Sequence, residues 1–442
     1  MMEEEPIPTG RLKRATVTGM AATKLGAKQL AHLSKKALKG KAFSEEEQSQ
    51  HEEELGKLII KTLGMLRGTA LKVSQALSQE ADLLPEAMRK ELAKACHKMS
   101  PLNRALILKV FQKEWGMGPG KLFESFDSEA FAAASLGQVH RAVSKNGENI
   151  AVKVQYPGIG ATIGSDLRMM RTMLVDVAGR SGALPRRDML SDCLDEIEER
   201  LLEEIDYRNE AENLTWFREN VAIEGIRIPK VFEETSGGRV LSMERLDGMH
   251  FDDWLGTGPS QTEKDAVGQK LIDFFSHCFY NLKRIHADPH SGNFMVLSNG
   301  DLGVLDFGCV KQVDREFPGK MMEALKAIVA NRDGEHLEEV LEAYKGIGLY
   351  SENYTIDLYE RMSHPTFGPL QDWLRLPYLD AVYDFGQHPR MPNANLRQSA
   401  KTVKEMDRLP KDYIFFDRAY NGVVNLLRRI GARVETGGML WG

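Results

Sequence analysis

Residues 286–293 read His286-Ala287-Asp288-Pro289-His290-Ser291-Gly292-Asn293, and thirteen residues after the Asn comes Asp306-Phe307-Gly308, behind the apolar run Val304-Leu305. The first Asp stands five residues before the Asn in a tight loop, and a second Asp follows on the next loop. Phosphoryl transfer from a magnesium nucleotide needs such a set. One Asp orients or deprotonates the attacking hydroxyl, or polarises water, while an Asn and another Asp hold magnesium against the phosphates. A hairpin expected over residues 297–303 brings both carboxylate-bearing loops to one end of their domain. Either fragment alone is a weak signal; the two at this spacing are a strong one. The plainer readings are a core histidine bracing a loop for His286 and a turn-former for Asp306. A transition-metal site of His286, Asp288 and His290 has no further soft ligand nearby in sequence.

Working outward, Ile150-Ala151-Val152-Lys153-Val154 is a strand with one lysine among apolar neighbours. A lysine placed this way neutralises the first phosphates of a nucleotide, and it needs a carboxylate to fix it, for which Glu210 is the choice. The competing reading is an edge-strand lysine pointing to water. Before that strand lies Ala132-Ala133-Ala134-Ser135-Leu136-Gly137-Gln138-Val139-His140. Residues Ala132 to Ser135 take the place where a glycine-rich loop would meet phosphates. Alanine keeps the strand–turn–strand shape but restricts the backbone and adds methyl groups. The phosphate grip should therefore differ from that of a glycine loop. The run Gly116-Met117-Gly118-Pro119-Gly120 is a decoy, with no Lys-Ser or Lys-Thr after it and no strand before it.

The chain has 442 residues, 42% apolar and 28% charged, with a net charge of -6. That length fits more than one compact unit, and the charge gives no basic field for nucleic acid. Four scattered cysteines form no metal-like cluster and read as reduced and intracellular, so a cytoplasmic protein is expected. No stretch reaches the 18 or so apolar residues of a spanning helix, and no secretory h-region opens the chain. Residues 11–40 hold eight Lys or Arg and no acid, either a solvated basic arm or a helix touching anionic lipid. An acidic tract over 45–54 follows. The expected organisation is an arm and linker over 1–54, helices over 55–120, a sheet-bearing part over 121–248, and a mostly helical part over 249–442. Leu55, Leu58, Ile59, Leu63 and Leu66 give the second segment its helical stripe. A Pro-rich region at 364–393 should break the last part's helices.

AAASLGQVHRA, AVKVQYPG, EIDYRNEAEN, HADPHSGNF and VLDFG, in that order, resemble the ABC1/ADCK/UbiB atypical kinase-like family. Two further segments fit this family rather than kinases at large. They are Lys72-Val73-Ser74-Gln75, matching its KxGQ motif with Ser74 in place of Gly, and Glu204-Ile205-Asp206, matching its ExD motif. The resemblance implies an α+β, two-lobed protein-kinase-like fold whose N-terminal helical extension covers the pocket where a protein substrate would lie. It implies that Lys72 meets Glu204 and Asp206 beside the nucleotide, with Gln75 nearby, and that Glu210 pairs with Lys153. Spacing alone leaves Glu203, Glu204 and Asp206 as candidates for either lysine. Asp288 carries over as the catalytic-loop Asp, and Asn293 and Asp306 as magnesium ligands. Ser291 stands where many members have Pro, a change expected to matter little.

What the resemblance implies for function is an ATPase or unorthodox kinase, using ATP and Mg2+, that supports isoprenoid quinone (ubiquinone) biosynthesis or related lipid metabolism. Its partners would be ATP or ADP, quinone precursors or other lipids, quinone-biosynthesis proteins, and an anionic membrane touched peripherally. A phosphotransferase acting on a small molecule or lipid is the alternative, since such kinases share the Asp-Asn-Asp pattern but lack the Lys72 motif and the alanine loop. A non-catalytic, nucleotide-dependent scaffold is the third reading.

Overall fold

The computed structural model describes residues 104–134, 136–157, 205–332, 334–392 and 410–436, with single residues between 168 and 198. The expectations for the basic arm, for Lys72 and Gln75, for Ser135, and for Glu203 and Glu204 lie outside these residues. The chain divides into two compact units, Met1–Asn209 with Phe232–Ser242, and Glu210–Val231 with Met243–Gly442.

In the first unit, helix α1 (Arg104–Trp115) buries Ile107, Val110 and Phe111, the i, i+3, i+4 stripe of an amphipathic helix. A four-stranded sheet follows, from β1 (Ser125–Ala134), β2 (Gly137–Val143), β3 (Asn149–Gln155) and the later β5 (Val240–Glu244), in the order β1-β2-β3-β5. Strands β1, β2 and β3 pair antiparallel. Gly147, at φ +84, makes the β2–β3 turn where an Asn-Gly pair predicts one. Ile150, Val152 and Val154 pack with Phe111, Phe123, Ala142 and Val240 in one core. Each such fully buried aliphatic side chain stabilises the unit by about 1.5–3 kcal/mol. Alternation along β3 turns Lys153 to the other face. Arg239, just before β5, pairs with Glu114 of α1 at 2.8 Å, tying helix to sheet.

The second unit starts within helix α2 (Tyr207–Asn220). Short strands β4 (Ile226–Arg227), β6 (Gly248–His250), β8 (Phe294–Leu297) and β9 (Leu302–Val304) form a sheet in the order β4-β9-β8-β6. Strands β7 (Arg284–His286) and β10 (Val310–Gln312) pair antiparallel beside it in sequence. Between β6 and β7 come helices α3 (Phe251–Gly256) and α4 (Gln261–Ser276). Helix α4 opens on a capping box in which Ser260 and Glu263 satisfy each other's backbone N–H groups. Helices α5 (Phe317–Ala330), α6 (Leu337–Gly346), α7 (His364–Arg375) and α8 (Lys411–Ile430) follow. Gly431 ends α8 at φ 70, the left-handed stop that glycine adopts without strain.

The structure refines two expectations for this unit. The Pro-rich stretch over 364–393 does interrupt the helices, but only from residue 376: α7 runs through Pro365 and Pro369. Pro365 lies in the first turn, where a missing N–H matters little. The loss at Pro369 is offset by burial of Gly368, Gln371 and Trp373 on the packed face. The helix gives way only at a short 3-10 turn containing Pro377. The C-terminal part also contains a strand pair, β11 (Val382–Asp384) with β12 (Arg433–Glu435). Its members are some fifty residues apart, a non-local pairing with no local sequence signature. Among the described residues, no helix is long and apolar enough to cross a membrane.

Candidate functional site

The first unit places Lys153 on a central strand, flanked by β2 and β5, with 4% of its surface exposed. The edge-strand reading therefore fails for Lys153. Its Nζ lies 5.0 Å from the ring centroid of Tyr207, itself buried. Register explains the neighbours. Val139 pairs with Lys153 and Gly137 with Gln155, so these four share one face of the sheet. Gln155 reaches over the end of β3, and its Nε2 donates to the carbonyl of Ile205 at 2.6 Å. The N–H of Tyr207 donates to Gly238 O at 3.1 Å, and Asp206 Oδ1 accepts from the N–H of Arg208 at 3.1 Å. The Ile205–Asp206–Tyr207 segment is thus stitched to the sheet beside Lys153.

Ala132, Ala133 and Ala134 belong to β1, paired with Val139, Gln138 and Gly137. Leu136 lies in the turn before β2. A methyl group at Gly137 would stand 2.2 Å from the carbonyl oxygen of Val154 and 3.0 Å from the Tyr207 hydroxyl, so only glycine fits. On the opposite face, His140 is fully buried. Its Nδ1 donates to Asp127 O at 2.9 Å and its Nε2 accepts from Gln138 Nε2 at 2.8 Å. Burial holds that imidazole below its usual pKa, against the opposing pull of the Asp127 carbonyl. A buried Gln–His dyad thus braces the β1–β2 ladder from beneath.

The second unit gathers Asp288, Asn293 and Asp306 by cross-bonding their loops. His286 is buried, and its Nε2 donates to the main-chain oxygen of Asp306 at 2.6 Å. Desolvation lowers its pKa despite that carbonyl and the charges of Asp288 and Asp306, so the ring is neutral. The bracing reading of His286 is therefore correct, and it serves the Asp306 loop. Asn293, also buried, donates from Nδ2 to the Asp288 carbonyl at 2.8 Å. Its backbone oxygen accepts from Leu305 N–H at 2.9 Å, directly before Asp306. The carboxylate of Asp306 accepts from Gly308 N–H at 2.9 Å. Asp288 keeps 23% of its side chain exposed. His290 Nδ1 accepts from Gly292 N–H at 3.0 Å, and its Nε2 lies 3.5 Å from Asp288 Oδ2.

Phe307 anchors the Asp306 loop from below. It is fully buried, with ring centroids 4.6 Å from Phe217, 5.3 Å from His286 and 6.5 Å from Phe274. Its carbonyl accepts from Asn213 Nδ2 at 3.0 Å. Helix α8 closes on the other loop, where a methyl at Gly422 would meet Pro289 Cγ at 2.5 Å. Ser291 Oγ donates to Asp252 Oδ2 at 3.1 Å, and Asp252 also pairs with Arg429 near the end of α8.

Glu210 is buried in the first turn of α2. Sequence reasoning passed over Gln155, Tyr207, Asn213, Phe217 and Asp252. For Gln155 a signal existed, since two residues after Lys153 is the same strand face. For Asn213 and Phe217, four apart on one helix face, the aromatic partner is far away in sequence and gave no sign. The donor set fits magnesium. Asn293 commits its amide nitrogen to Asp288, leaving the oxygen that a hard cation takes, and Asp306 supplies a carboxylate from the adjoining loop.

Residues 92–341 match the family model described as the ABC1 atypical kinase-like domain. The chain is 31% identical over 328 residues to the atypical kinase COQ8B, mitochondrial, of Rattus norvegicus, covering 73% of this chain and 61% of that protein. It is 30% identical over 297 residues to the atypical kinase coq-8, mitochondrial, of Caenorhabditis elegans, covering 66% of this chain and 38% of that protein. The chain thus spans less than two thirds of these relatives' length. Among solved structures, Rv3197 of Mycobacterium tuberculosis in complex with erythromycin aligns with a TM-score of 0.59 at 25% identity, covering 85% of this chain and 92% of that one. Sheets and helices follow the mixed, kinase-like arrangement.

Proposed function

The chain belongs to the ABC1 atypical kinase-like family, and on that premise we propose that it binds a magnesium nucleotide and cleaves or transfers the terminal phosphoryl group in support of isoprenoid quinone or related lipid metabolism. The observation that carries the reading is the cross-bonding of the Asp288, Asn293 and Asp306 loops through His286, Asn293 and Leu305. Such bonds fix oxygen donors in place before any ligand arrives, the preorganisation that electrostatic catalysis depends on. Asp288, with its partly exposed carboxylate, orients the attacking hydroxyl or water. Asn293 and Asp306 hold the magnesium ion, which neutralises phosphate charge when bound. Lys153 grips the first phosphates with Glu210 as its carboxylate, Ala132 to Ser135 line the phosphates, and Asp206 serves with Glu204 as the partner of Lys72, beside Gln75. These roles follow family membership, position by position.

The test is phosphate release from Mg-ATP by the full chain, with and without anionic vesicles and quinone-precursor mimics, alongside Asp288→Asn and Asp306→Asn. Release that vanishes in both variants supports the reading. Calorimetry adds a second arm: Asp306→Asn should sharply weaken magnesium-dependent nucleotide binding. Unchanged affinity would overturn the ligand assignment, and binding without any release would favour a nucleotide-dependent scaffold.

A further inference from the structure

We infer that Tyr207 is a positioning residue for Lys153: its ring is a neutral seat for the buried ammonium, and its hydroxyl end sets the height of the β1–β2 turn. This rests on the reading of Lys153 as the nucleotide's phosphate grip. Three observations in the first unit converge on it. Lys153 Nζ stands 5.0 Å from the Tyr207 ring centroid, and both residues are buried. The hydroxyl lies 3.0 Å from where a Gly137 Cβ would be, so one rigid side chain spans from Lys153 to the turn. The backbone beneath Tyr207 is held by Gly238 O and, two residues earlier, by the Gln155 amide.

The physical case turns on geometry and charge together. An aromatic face within about 6 Å attracts the cation through its quadrupole without adding a counter-charge, so it can hold the ammonium in place alongside a carboxylate partner. The ring does this with two side-chain torsions, so little entropy is lost on ordering it. Tyr207 follows the Glu204-Ile205-Asp206 segment directly, so the chain that delivers those acids also delivers the seat.

The experiment uses the full chain with Tyr207→Phe and Tyr207→Leu, each alone and combined with Lys153→Met. Tyr207→Met stands in where the Leu variant melts below the assay temperature. Mg-ADP and Mg-ATP affinities are read by calorimetry, and the reactivity of Lys153 toward limiting acetic anhydride by mass spectrometry. Removing the ring should weaken nucleotide binding by about 2- to 30-fold, the range of a partly to fully desolvated cation–π contact. Tyr207→Phe, which keeps the ring, should stay within about threefold of wild type on the same scale. In the Lys153→Met background the Leu change should add nothing, because the interaction is already gone. Equal losses in both backgrounds would overturn the proposal and leave Tyr207 a packing residue. Acetylation separates this from the function itself. If Lys153→Met leaves nucleotide affinity untouched, the phosphate-grip reading fails. Even then, Lys153 labelling that rises in Tyr207→Leu but not in Tyr207→Phe supports the seat, and labelling unchanged in both refutes it.

Discussion

Replacing Gly137 by alanine should unseat the turn that begins β2. The added Cβ would lie 2.2 Å from the carbonyl oxygen of Val154 and 2.9 Å from its carbon, whereas ordinary contact begins near 3.4 Å. The two strands must open by about 1.2 Å there, and no rotamer change relieves it because the obstacle is main chain. Overpacking costs about 1–3 kcal/mol when side chains can yield, so a backbone clash belongs near about 3 kcal/mol. At about 2–4 °C per kcal/mol for a chain of this size, the melting temperature should fall by about 6–12 °C. The opening also moves the strand that carries Lys153, and displacements of about 1 Å at a binding site cost tenfold or more. Differential scanning calorimetry and nucleotide titration read the two effects. Gly147→Ala is the control. Its φ is +84 and nothing lies within 4 Å of the new methyl, so it should lose about 1 kcal/mol to strain and leave nucleotide affinity alone. A Gly137→Ala protein that melts within about 2 °C of wild type would refute the steric reasoning.

Phe307→Ala should cost about 3–5 kcal/mol in urea unfolding, because the ring is fully buried against Phe217 at 4.6 Å and His286 at 5.3 Å; a loss below about 1 kcal/mol would mean the Asp306 loop is anchored elsewhere. Gly422→Ala gains about 1 kcal/mol of helix propensity yet puts a methyl 2.5 Å from Pro289 Cγ and 2.9 Å from its carbonyl oxygen, a clash that outweighs the gain, so phosphate release and the denaturation midpoint should both fall. His388 is buried against Trp373, Tyr383 and Phe385, and desolvation with the nearby Arg428 charge pushes its pKa down to about 4 from 6.5. The unfolded chain then binds the extra proton first, so stability is full above about pH 7 and declines as pH falls from 6.5 toward 4, by up to about 3 kcal/mol. Unfolding curves at pH 7.5 and 5 should show that decline in wild type, and a smaller one in His388→Gln.

Much of the site was legible because its parts are local. The Asp288–Asn293 loop, the Asp306 turn and the hairpin between them occupy about twenty consecutive residues, where spacing alone fixes which side chains share an end. Strand β3 was equally readable from Ile150, Val152 and Val154 alternating with Lys153. Its central position was not, because the flanking strand β5 arrives about ninety residues later. The same limit hid Asn213 and Phe217, which meet Phe307 across ninety residues or more. Pro369 misled for a different reason. Helix propensity is a local cost of a few kcal/mol, and burial of Gln371 and Trp373 on the packed face outweighs it.

The bracing reading of His286 and the proposed role of Asp306 fit one arrangement. His286 spends its donor on the main-chain oxygen of Asp306 and not on its carboxylate, which accepts from Gly308 N–H. A loop brace is therefore compatible with the proposed magnesium role of Asp306, not a rival to it. The same logic applies at Ser291, where the hydroxyl reaches Asp252, and Asp252 reaches Arg429. Asp252 and Arg429 are more than half exposed, and such a pair contributes about 0–1 kcal/mol to stability. Its consequence is geometric: it ties the Asp288 loop to the end of α8, on the helix whose Gly422 already touches Pro289. A proline at 291 would remove the only hydroxyl in that loop and with it the side-chain half of this tether. Ser291→Pro should therefore leave the melting temperature near wild type while lowering turnover more than nucleotide affinity. Equal turnover in the two proteins would show that the Gly422–Pro289 contact alone sets the loop.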